Sequence, residues 1–120
     1  MNSPVKKNMH LLVVALFDDS YLDDIILGLT SLSGSQVTMV DAVSGTQNLS
    51  RAIPMFAEFV GMKGKRFCKI LLACVSEPDP AGSLLEELMG GGLDFVELGI
   101  GEIYAIPLSG AVVIEEIDIY

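Results

Sequence analysis

Tryptophan is absent from this chain of 120 residues, histidine occurs once and cysteine twice. With His10 alone, one chain supplies neither a Ser–His catalytic arrangement nor a multi-histidine metal site. Basic residues are scarce: 7 Lys and Arg stand against 16 Asp and Glu, a formal net charge of -9. Such a surface does not displace counterions from phosphates, which argues against general nucleic-acid binding. Long apolar runs are missing too. Residues 11–17 and 70–75 are far shorter than the roughly 20 residues a membrane-crossing helix needs. The apolar stretch after residues 1–8 ends at Asp18 and Asp19 without a small-residue cleavage site, so a flexible N-terminus and a cytoplasmic location are expected. Cys68 and Cys74 fall in one expected strand, roughly 20 Å apart at about 3.3 Å per residue, and cannot pair with each other.

What the chain has is apolar bulk. At 51% apolar residues and a mean hydropathy of +0.54, residues 1–120 can fill the core of a single domain with apolar surface to spare. That surplus suggests cover by identical copies, and a homo-oligomer is expected.

Residues 9–17 and 67–75 are nearly continuous apolar runs, as expected of two neighbouring strands in the middle of a sheet. Between them, Ser20 is positioned to cap a helix with Asp23 three residues later, and Leu22, Ile25, Ile26, Leu29 and Leu32 recur at helical spacing. Gly34 suits the stop, and the β-branched stretch 36–43 follows as a second strand. Asp79 with Pro80 reads as a cap and first turn, Ser83 and Glu86 as a second capping box, and Leu84, Leu85 and Leu88 as a helical stripe ended by Gly90, Gly91 and Gly92. Residues 102–108 and 111–119 then read as two strands separated by Ser109 and Gly110. The order is βαββαβ with an additional C-terminal strand, an α+β ferredoxin-like sandwich.

Several short stretches resemble the nitrogen-regulatory PII-like family. Leu22-Asp23-Asp24-Ile25 is similar to the opening of its first helix, and Val37-Thr38-Met39-Val40 to its second strand. The stretch from Gly99 through Ile100, Gly101, Glu102, Ile103, Tyr104, Ala105 and Ile106 to Pro107 resembles the family's glycine-aspartate-glycine-lysine motif and the strand after it. The resemblance implies a homotrimer with a small-molecule effector, an adenine nucleotide in ordinary members, bound between subunits. It also implies a long loop, the T-loop, that docks on a protein partner such as a membrane transporter. On that footing the ligand would meet Gly99, Gly101, Glu102, Lys63, Lys65 and Arg66. Glu102 stands where the family carries a phosphate-binding lysine, and its charge opposes a polyphosphate. No tyrosine for uridylylation lies in the loop.

The T-loop-like excursion spans residues 45–66. It holds Arg51, Lys63, Lys65 and Arg66, four of the chain's seven basic residues, against one acid, Glu58. Met55, Phe56, Phe59 and Val60 follow Pro54 at near-helical spacing, either as an exposed partner anchor or as a segment folded back on the sheet. Gly99 and Gly101 either bring backbone N–H groups to an anion or shape a tight turn, the turn being preferred. No base and nucleophile can be named, so a non-enzymatic role is expected. A trimer resembling the metal-tolerance CutA family is the alternative, with His10 and Cys68 as its test positions.

Overall fold

A computed structural model describes residues 4–33, 36–44 and 66–113. Four strands form one antiparallel sheet: β1 (His10–Leu16), β2 (Thr38–Ser44), β3 (Arg66–Val75) and β4 (Gly101–Pro107), in the order β2-β3-β1-β4. The two apolar runs are the central pair, as expected of strands shielded on both edges. Helices α1 (Leu22–Ser33) and α2 (Pro80–Gly90) and a short helix α3 (Phe95–Leu98) complete the fold, which is α+β. Among the described residues no helix is long and apolar enough to cross a membrane.

Alternation along the strands decides which side is core. The register sets Leu12, Val14 and Leu16 of β1 beside Ala73 and Leu71 of β3 and Ile103 of β4, all on one face. That face is covered by Ile25 and Leu29 of α1 and by Leu84 and Leu88 of α2, so these side chains form the single core with Leu93, Phe95 and Ile100. Leu12, Val14, Ile25, Leu29, Leu71 and Leu84 have no exposed surface. Each such side chain contributes about 1.5–3 kcal/mol of burial.

The helix ends follow the turn chemistry of the sequence, with one correction. Asp79 caps α2, accepting from Gly82 N, and Pro80 occupies the first turn. Ser83 lies within that helix and donates its N–H to Asp79 O, so it begins no second cap. The cap ahead of α1 is Asp18, not Ser20: a 3-10 turn (Asp19–Tyr21) precedes the helix, and Ser20 N and Oγ both donate to Asp18 Oδ1. An acceptor that can serve two donors at once displaces the hydroxyl from the capping role. The expected strand over 111–119 is reduced, within the described residues, to an isolated bridge between Lys6 and Ala111, with Val112 and Val113 outside any strand. The remainder, 114–120, lies outside the described residues.

Candidate functional site

The described residues singled out from sequence gather at one end of the sheet. Asp41, Lys69, Leu16 and Gly101 are successive cross-strand neighbours, one row spanning all four strands. One step further out, β1 has ended, and β2 and β3 continue alone through Ala42–Cys68, Val43–Phe67 and Ser44–Arg66. Arg66 therefore opens β3 at the outermost pair, and the 45–66 excursion departs from this end. Arg51, Met55, Phe56, Phe59, Lys63 and Lys65 lie outside the described residues.

On the β4 side of the row, the two glycines have separate physical reasons. Gly99 closes α3 in the left-handed conformation (φ 60), where its N–H donates to Phe95 O. Gly101 is needed for proximity: a Cβ there would stand 2.2 Å from Ala15 O and 3.1 Å from Phe95 Cζ. The approach is secured by Phe17 N donating to Ile100 O at 2.8 Å. These contacts account for both glycines as turn and packing elements. Glu102, next along β4, is exposed and accepts from the Tyr104 hydroxyl two residues on. That bond is the first cause holding the Tyr104 hydroxyl above its ordinary value of 10.0.

On the β3 side, where β1 stops short, a cavity opens at the strand end; a separate groove of about 510 Å³ lies between the helices. The cavity at the strand end measures about 350 Å³ and is bounded by Leu16, Phe17, Asp19, Ala42, Phe67 and Lys69. Phe67 is 78% exposed, an unusual cost for a phenyl ring without cover. Lys69 is ion-paired with Asp41, and that hydrogen bond, ahead of other causes, holds its ammonium above the ordinary value of 10.5. The arrangement suits a ligand with an apolar body and a small polar head that competes with Asp41 for Lys69. It offers a polyphosphate little, since the carboxylates of Asp41 and Asp19 already stand beside Lys69.

Sequence reasoning did not foresee Phe67, Asp41 and Lys69 as a group. Their spacing in the chain carries no signal, because only the β2–β3 register sets Asp41 against Lys69. His10 sits at the opposite end of β1, paired with Val75 and Pro107, and takes no part here. Among the described residues no group of three or more His, Cys, Asp and Glu is placed to hold a metal ion.

The opposite face of the sheet, away from the helices, is mostly apolar in its described side chains. It presents Leu11, Val13 and Ala15 from β1, Ile70, Leu72 and Cys74 from β3, Val40 and Ala42 from β2, and Tyr104 and Ile106 from β4. Between residues 38–42, 68–74, 11–15 and 102–106, Glu102 is the one charged residue on it. Val40, Tyr104 and Ile106 are about half exposed. No family model and no curated protein matches the chain.

Proposed function

We propose that this chain is a PII-like regulatory protein of ferredoxin-like fold, a homotrimer that senses a small ligand and reports it to a protein partner. The observation that carries this reading is the bare apolar sheet face. Three strands of 7 residues and one of 10, at about 4.8 Å between strands and about 3.3 Å per residue, cover roughly 450 Å². That matches the largest apolar patches monomers expose, and those are commonly interaction surfaces. Identical copies meeting face to face remove it from water. The strand order supports the fold assignment: taken from the other edge it is β4-β1-β3-β2, with both long helices on one side, as two interleaved βαβ units produce.

In the assembled protein the strand end carrying Phe67, Lys69 and Gly101 lies at the rim of each subunit. A ligand there contacts the base of the 45–66 excursion and shifts the population of its conformers, provided it favours one of them energetically. The excursion then docks on the partner, a membrane transporter being the kind the PII resemblance suggests.

Calorimetry against adenine nucleotides, 2-oxoglutarate and bicarbonate tests the sensing half. Saturable binding of one of them, abolished by Lys69→Met together with Phe67→Ala but with assembly intact, is the expected result. Binding unaffected by both substitutions would place the ligand elsewhere. Deleting residues 50–62 should abolish partner capture and leave the trimer whole; a trimer lost by that deletion would give the excursion a structural role instead.

A further inference from the structure

Among the described residues, a further cavity lies on the outer, helical side. It is a groove of about 510 Å³ between α1 and α2, running from Asp24 and Leu27 past Gly28 and bounded opposite by Glu86, Glu87 and Leu88. Gly28 makes the trough: the helices touch there, and a Cβ would meet Leu84 Cδ1 and Leu88 Cδ2 at 3.1 Å. Above this contact the groove is shallow and open, because glycine raises no side chain into it.

Two further features mark the groove as a docking surface. Leu27 is 66% exposed on its rim, so a large apolar side chain faces water beside the groove. The second feature is charge of one sign. Helices α1 and α2 carry Asp23, Asp24, Glu86 and Glu87 and no lysine or arginine. A rim of carboxylates around an apolar strip matches a segment that is both cationic and apolar.

This chain contains one such segment. Residues 45–65 hold Arg51, Lys63 and Lys65 against the single acid Glu58, with Met55, Phe56 and Phe59 between them at helical spacing. We infer that the α1–α2 groove is the receptor for residues 45–65 of a second copy of this chain. Phe56 and Phe59 would lie against Leu27 and Gly28, and the lysines against Glu86, Glu87 and Asp24. Direction favours a second copy over the chain's own segment. β2 and β3 leave the sheet past the end of β1, at the end where α1 begins, whereas the groove runs back along α1 toward Ser31. This docking needs neither the ligand nor the trimer of the proposed function, and its success or failure is read separately from theirs.

The test uses a fluorescein-labelled synthetic peptide of residues 45–66 and the full chain carrying Lys63→Glu and Lys65→Glu, so that the chain's own segment does not compete. Fluorescence anisotropy should rise saturably. Adding Glu86→Lys and Glu87→Lys to the full chain, or raising ionic strength from about 0.05 M to about 0.5 M, should weaken binding about tenfold. Leu27→Ser should weaken it at every salt concentration. A peptide with Lys63→Glu and Lys65→Glu should in turn prefer the Glu86→Lys, Glu87→Lys chain to the unreversed one. Leu27, Glu86 and Glu87 are exposed, and circular dichroism checks that the fold is kept in every variant. Equal binding to the native and charge-reversed grooves would overturn the inference, as would no binding at about 1 mM peptide. So would equal binding of a scrambled peptide of the same composition, which would leave a charge effect alone. Tighter binding of an unrelated lysine–leucine amphipathic helix would assign the groove to a foreign partner and overturn it as well.

Discussion

Replacing Gly101 and Gly99 by alanine separates two reasons for glycine that lie two residues apart. At Gly101 the new Cβ would stand 2.2 Å from Ala15 O. Relieving that overlap moves the start of β4 about 1 Å away from β1, which stretches the Phe17–Ile100 hydrogen bond from 2.8 Å beyond bonding distance. The lost bond costs about 1 kcal/mol and the strained packing about 1–3 kcal/mol, so Gly101→Ala should destabilise by roughly 2–4 kcal/mol. At about 4 °C per kcal/mol for a chain of this size, the midpoint falls by roughly 8–16 °C. Gly99 has nothing within 4 Å of the added atom, and only its φ of +60 matters. Gly99→Ala should cost about 1 kcal/mol, near 4 °C, and Gly99→Asn less, because asparagine tolerates that conformation. Thermal melts of the three variants at one fixed protein concentration decide the matter, since self-association raises the midpoint by mass action. A Gly101→Ala protein melting within about 2 °C of the parent would refute the argument from close approach.

Leu29→Ala, at a side chain with no exposed surface, should cost about 2–5 kcal/mol in chemical denaturation, whereas Leu27→Ala on the same helix stays within about 0.5 kcal/mol. Hydrogen bonds from the Ser20 side chain and backbone hold the Asp18 carboxyl below its ordinary 3.8. The charged cap therefore stabilises the fold above that pH, and its contribution disappears as pH falls through the lowered folded-state value. Melts of the parent and Asp18→Asn should differ in the parent's favour near neutral pH and converge in strong acid; a gap unchanged with pH would contradict the assignment. Val13→Glu on the bare sheet face should leave circular dichroism intact and convert the assembly to monomer, read by sedimentation; an unchanged assembly would mean that this face is not the contact.

The central strands were legible because both faces of β1 and β3 are largely apolar, so their sequences read as nearly continuous runs, interrupted in β3 by Lys69. Helix α1 was legible from its stripe: Ile25 and Leu29 are buried, and Leu22, Ile26 and Leu32 pack partly against the core. Asp79 and Pro80 stand where the second helix was expected to start. Asp18 was missed because Asp18 and Ser20 are both good caps, and local preference alone does not rank them when a 3-10 turn intervenes. Helix α3 has four residues, too few for any periodicity, and its cap at Asp94 and its stop at Gly99 emerge only in the structure. At the strand end, the glycine turn was recognisable from its spacing. The Asp41–Lys69 pair was not, since it is created by register between strands more than twenty residues apart.

The account stands most directly on whether the bare side of the sheet is buried between copies. Sedimentation velocity of the full chain, at concentrations from about 1 to about 100 μM, should return a single species of three times the 12.8 kDa chain mass. A folded, monodisperse monomer across that range would contradict it.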